Sequence, residues 1–149
     1  MKKLLLALIG VCCCASLFAA GSTTPQGWTD DFAAARKEAK KTDRPMLVLF
    51  TGSDWCPYCV KLKKNFLDTA EFRTFAKDGV VLFYADFPKG TKLPEKLNTQ
   101  NAELAKKYGI RGLPTTVIVS PNGKEMGRVE GCPSYYLDGV TTIVKTVAK

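Results

Sequence analysis

The chain has 149 residues, 46 % of them hydrophobic, which suffices for one domain with its own core and excludes two comfortable ones. Its 22 Lys and Arg outnumber 14 Asp and Glu for a net charge of +8, but the basic residues are scattered and no aromatic–basic interleaving marks a nucleic-acid face. It contains no histidine, which excludes Cys–His nucleophile dyads, Ser–His–Asp triads and histidine metal sites together.

The first 21 residues read as an address. Met1-Lys2-Lys3 is a basic start, Leu4 to Val11 is apolar, and Cys12 to Gly21 drifts toward small residues, ending in Ala19-Ala20-Gly21. This is the pattern of a cleaved secretory signal, with residues 22–149 as the mature domain. Two alternatives stand beside it. Cys12, Cys13 or Cys14 as a lipidated first residue lacks the small residue that should precede it. A retained anchor would sit at the short limit of the roughly 17–25 residues a spanning helix needs. Cleavage removes Lys2 and Lys3 and leaves 20 basic against 14 acidic residues, a net +6.

In the mature chain, Thr29 reads as a helix N-cap with Asp30 and Asp31 in the first turn, and Trp28, Phe32, Ala35 and Ala39 recur at helical spacing. Met46 to Phe50 is a continuous apolar run, as in a strand buried on both faces. Thr51 to Asp54 leads into Cys56-Pro57-Tyr58-Cys59, followed by a helix with Cys59, Leu62 and Phe66 on one face and a further turn or two capped by Thr69. Val80 to Ala85 is a second buried strand. Phe87 to Asn98, with Pro88, Gly90 and Pro94, reads as a surface loop, and Thr99 to Tyr108 as a helix stopped by Gly109. Thr115 to Val119 is a third strand, Pro121-Asn122-Gly123 a turn, and Glu125 to Val129 an antiparallel return. Pro133-Ser134 opens a last helix through Val147.

The cysteines carry the chemistry. Three of the six lie in the signal, so the mature domain keeps Cys56, Cys59 and Cys132, which is no disulfide scaffold. Positions i and i+3 are neighbours on a helix face, so Cys56 and Cys59 can close and reopen a disulfide. A sulfur at the helix N-terminus meets unpaired N–H groups and the positive end of the dipole, which makes Cys56 the nucleophile. Cys59, one turn inside and more buried, is then the resolving thiol. Pro57 suits the first turn, where its missing N–H costs nothing, and Trp55 supplies an apolar wall beside an exposed Cys56 sulfur. A zinc site would need two ligands beyond the pair, and with Cys132 alone remaining, no metal is expected. A static disulfide here would close a very short loop and restrict the unfolded chain little. Cys132, after Gly131, has two readings: an accessory redox thiol, or a small apolar residue ahead of a helix.

Trp55-Cys56-Pro57-Tyr58-Cys59 behind an apolar strand, together with Lys107-Tyr108-Gly109-Ile110-Arg111-Gly112-Leu113-Pro114-Thr115, resembles the thioredoxin superfamily over roughly Trp28 to Lys149. The resemblance implies an α/β thioredoxin fold with a central mixed sheet of about four strands flanked by helices. It implies a cis Leu113–Pro114 bond facing the cysteines, and a substrate groove formed by Trp55, Pro57, Tyr58, Leu113 and Pro114. The redox-active Cys56–Cys59 pair would be the sole redox group, with no further cofactor. The partners implied are disulfide-bearing proteins and a membrane thiol-relay electron donor, with the protein itself a monomer in the periplasm or secreted, or anchored to the membrane facing the periplasm. The overall pattern looks most like secreted Dsb-type oxidoreductases, acting as a reductase, with an oxidase or isomerase or a non-catalytic binding module as alternatives. Two departures stand out. Pro-Tyr is the glutaredoxin dipeptide, not thioredoxin's Gly-Pro. The buried acid that thioredoxin carries in the strand before its motif is absent from Met46 to Phe50, with Asp54 only in the loop.

Overall fold

The computed structural model describes residues 24–147; the segment read as a signal lies outside the described residues. The elements run α1 (Phe32–Thr42), β1 (Met46–Thr51), α2 (Pro57–Leu62) continuing through a π turn (Lys63–Leu67), α3 (Ala70–Gly79), β2 (Val81–Asp86), α4 (Glu95–Lys107), β3 (Thr115–Val119), β4 (Glu125–Glu130) and α5 (Tyr136–Val147). The four strands form one mixed sheet in the order β2-β1-β3-β4, as the resemblance implied. β1 pairs with β2 in parallel and with β3 antiparallel, and β4 closes the edge antiparallel to β3.

Burial follows the sequence pattern. Every residue of β1 and of β3 is buried, because each is an inner strand covered on both faces. Period-two alternation sends Leu47 and Leu49 to one core, against Leu62, Phe72, Tyr136 and Val140. It sends Met46, Val48 and Phe50 to the other, against Ala35, Ala39, Leu104 and Tyr108. The edge strand β4 buries Val129 alone.

Three boundaries differ from expectation. Thr29 does not cap α1: its backbone pairs with β2, donating to Leu82 O and accepting from Tyr84 N, so it is extended and Asp31 caps instead, accepting from Ala34 N at 3.0 Å. Trp28 accordingly leaves the helix face and stacks on Phe72 and edge-on to Tyr84. Helix α4 starts at Glu95, four residues before the expected Thr99, because Pro94 ends the loop and its carbonyl accepts from Leu97 and Asn98 N–H in the first turn. Helix α5 starts at Tyr136, after a turn in which Tyr136 N–H reaches Pro133 O. Thr69 does cap α3, accepting from Phe72 N, and Gly109 does adopt the left-handed conformation (φ +59°) that ends α4.

Registry places the motif. Thr51, the last residue of β1, lies opposite Asp86, the last of β2, while its neighbour Phe50 lies opposite Thr115, the first of β3. The loop leaving β1 into α2 therefore emerges beside the loop entering β3, and two segments far apart in sequence meet at one end of the sheet.

Candidate redox-active site

All three described cysteines are free thiols. Cys56 is the N-cap of α2, in extended conformation, and its Sγ accepts the Cys59 N–H at 3.3 Å. This is an N-cap bond made with sulfur in place of oxygen. It is oriented to stabilise negative charge on that sulfur, and Pro57 at N1 leaves no stray N–H to compete. The same Sγ lies 3.6 Å from the Leu113 carbonyl, 57 residues on, toward which it donates. The Leu113–Pro114 peptide bond is cis. Turned inward by these two partners, Cys56 is buried at 5 % exposure, which corrects the expectation of an exposed sulfur. What is exposed is the collar around it: Pro57, Tyr58 at 64 % and Trp55 at 42 %, with Leu113 half-buried and Pro114 buried beneath.

Cys59 lies one turn deeper. Its Sγ accepts the Gly52 N–H at 3.3 Å, and Thr51 lines the space behind it. Burial pushes the Cys59 thiol up to about 11; the hydrogen bond with Cys56 works in the same direction, and Gly52 and Thr51 oppose it. Tyr84 lines the same space, and burial raises its phenol well above the usual range.

Trp55 is held from the side. Its Nε1 donates to Phe87 O at 2.7 Å, and Lys89 Nζ lies 4.0 Å from the ring centroid. Gly52 must be glycine here, because a Cβ would come within 2.6 Å of the indole. Asp54 faces away from the pair, toward the loop after β2. Its carboxylate accepts from Lys89 N and Gly90 N, which hold it below the usual carboxylate range and tie down the loop after β2. Asp86 is likewise engaged, accepting from Ser53 N at 3.0 Å and Ser53 Oγ at 2.6 Å.

Gly131 N–H donates to Pro114 O at 2.8 Å, so Cys132 stands at the same end of the sheet. It is half-buried and packs against the core that contains Tyr136. No group of three or more Cys, Asp or Glu among the described residues could hold a metal ion. The structure thus unites Trp55, Cys56, Pro57, Tyr58, Cys59, Leu113 and Pro114, and it adds Thr51, Tyr84 and the Phe87 carbonyl. Thr51 was within reach of the sequence: alternation from Leu47 and Leu49 puts it on the face that meets α2.

A family model described as a thioredoxin-like domain matches residues 32–136. The chain belongs to the thioredoxin-like family. Relatives of this thioredoxin-like chain include a protein named disulfide bond reductase DsbH from Chlamydia pneumoniae, 33 % identical over 127 residues, covering 79 % of this chain and 76 % of that one. A thioredoxin-related protein DsbJ of the same organism is 30 % identical over 102 residues, 68 % of this chain but 29 % of that longer one. Among solved structures, a DsbH oxidoreductase superposes with a TM-score of 0.70 at 29 % identity, covering 85 % of this chain and 93 % of that one. The fold is the thioredoxin fold, and the protein is a Dsb-type thiol:disulfide oxidoreductase with a Cys-X-X-Cys pair at Cys56 and Cys59.

Proposed function

We propose that this oxidoreductase reduces disulfides in partner proteins outside the cytoplasm, with Cys56 as nucleophile and Cys59 as resolving thiol. The observation that carries the assignment is the unequal placement of the sulfurs: Cys56 caps α2 under the exposed collar, and Cys59 is enclosed behind it. The Cys56 thiolate attacks a substrate sulfur, one substrate sulfur leaves as a thiolate, and a mixed disulfide forms. The Cys59 thiolate then attacks Cys56 Sγ, the Cys56–substrate bond breaks, and the second substrate thiolate departs while the protein is left oxidised. Trp55 and Tyr58 offer apolar area to the substrate chain, and Leu113, next to Pro114, presents backbone that an extended substrate can pair with.

The reductive direction is supported by similarity to a protein named as a disulfide bond reductase. The extracytoplasmic setting is supported by the signal pattern over residues 1–21. No helix among the described residues is long and apolar enough to cross a membrane. In this reading the cysteine pair is the whole redox equipment, a membrane thiol relay re-reduces it, and the protein works as a monomer. Cys132 serves as packing, so Cys132→Ser leaves turnover unchanged. The reduction potential of the Cys56–Cys59 couple, equilibrated against glutathione, tests the direction. A reductase has a value of about −200 mV or lower, and a value near the roughly −120 mV of a strong oxidant contradicts it.

A further inference from the structure

The resolving step has a proton problem. Before Cys59 can attack, its thiol proton must leave, yet the residue is 3 % exposed and β1 holds no carboxylate. The carboxylates flanking the motif are committed elsewhere, Asp54 to the Lys89 and Gly90 amides and Asp86 to Ser53. Behind Cys59, however, lies a cavity of about 140 Å³ lined by Cys59, Thr51 and Tyr84 and by Lys63 and Asp68. Roughly 10–15 Å³ of such space holds one water, so the cavity has room for several. Lys63 and Asp68 pair at 2.6 Å with both side chains about half exposed, which marks this as the end open to solvent.

We propose that Thr51 is the proton-relay residue for Cys59, passing the thiol proton through its hydroxyl into this cavity, with the Tyr84 hydroxyl as the next station. A hydroxyl can accept one proton while releasing another, so neither Thr51 nor Tyr84 ionises. The balance is simple. The Cys59 S–H proton moves to Thr51 Oγ1, the original Thr51 proton moves on through Tyr84 Oη and cavity water to bulk solvent, and the sulfur keeps its electron pair. The thiolate so formed makes the Cys59–Cys56 bond as the Cys56–substrate bond breaks. The titratable groups around this path are Cys56 on α2, Tyr84 and Asp86 on β2, and Lys63 and Asp68 beyond α2.

The inference rests on Cys59 being the resolving thiol, and the experiment separates the two ideas. Reduced protein is mixed with an aromatic disulfide that releases thionitrobenzoate. A first burst reports attack by Cys56, and a second reports resolution by Cys59. If Cys59→Ser still gives the second burst, the resolving role itself fails. With that control in place, Thr51→Val is expected to slow the second burst by about 10- to 100-fold near neutral pH while leaving the first within about twofold. The deficit should shrink as pH approaches about 11, where Cys59 loses its proton unaided. Thr51→Ser, which keeps the hydroxyl, should restore the second burst. If Thr51→Val gives no first burst because it misfolds, Tyr84→Phe is read in its place, with a slower second burst expected. A second burst that is unchanged in Thr51→Val, or slowed only as much as the first, overturns the proposal. So does one slowed by Asp86→Asn and untouched by Thr51→Val.

Discussion

The two sulfurs of one motif, a single helical turn apart, occupy different environments. Around Cys56 the polar partners are a cap N–H and a carbonyl, and the wall is open, apolar and aromatic. Around the Cys59 sulfur the polar partner is the Gly52 amide, and the space behind it, lined by Thr51 and Tyr84, opens beside Lys63 and Asp68 and not toward the collar. Identical side chains thus acquire different surroundings from position alone: one caps the helix behind the exposed collar, the other lies a turn deeper.

The largest expected effect tests the front of the pair. Cys56→Ser should lower insulin-disulfide reduction by about a thousandfold or more, since a hydroxyl does not replace a thiolate nucleophile at neutral pH. Activity surviving that change would place the nucleophile elsewhere. Next comes Gly52→Ala, which serves both sides at once. The added Cβ lies 2.6 Å from the Trp55 indole, a rigid group, so Trp55 must leave its Phe87 bond or β1 must shift. A cost of about 1–3 kcal/mol in urea unfolding is expected, with altered tryptophan emission. A smaller effect lies deeper. Tyr136 is fully buried and its hydroxyl lies 2.9 Å from Thr116 Oγ1. Tyr136→Phe strands the Thr116 hydroxyl at a cost of about 1–2 kcal/mol, read by the same unfolding curves.

The last effect is confined to Cys59 and has a definite sign. The thiol titrates at about 11 in the folded protein against an ordinary value of 9.0, so the folded state holds its proton longer than the unfolded chain. The stability this gives the reduced protein is fully present below about pH 9 and is lost as pH rises through about 11. Oxidised protein has no such thiol. The reduced form should therefore lose stability relative to the oxidised form across that window, and parallel stability curves would mean that Cys59 is not enclosed as described.

The fold was legible because its strands announce themselves. Met46 to Phe50 and Thr115 to Val119 are uninterrupted apolar or β-branched runs, and inner strands need nothing else. The motif was legible because Cys56, Pro57 and Cys59 are dictated locally by the geometry of a helix start. The misreadings were tertiary. Thr29 has the composition of a cap, but β2 claims its backbone. The loop from Phe87 ends at Pro94 and not at Asn98, because Pro94 reads equally as a loop residue and as a helix start. Cys56 was expected to be exposed because no local signal reveals the Leu113 carbonyl that turns its sulfur inward. Nor does any local signal mark the Lys89 and Gly90 amides that occupy the Asp54 carboxylate.

The asymmetry of the pair is open to trapping. Cys56→Ser and Cys59→Ser proteins are each incubated with a disulfide-bearing substrate, and covalent adducts are resolved on non-reducing gels and mapped by mass spectrometry. A persistent adduct is expected on Cys56 in the Cys59→Ser protein, and essentially none in the Cys56→Ser protein. An adduct forming on Cys59 at a comparable rate would contradict that asymmetry.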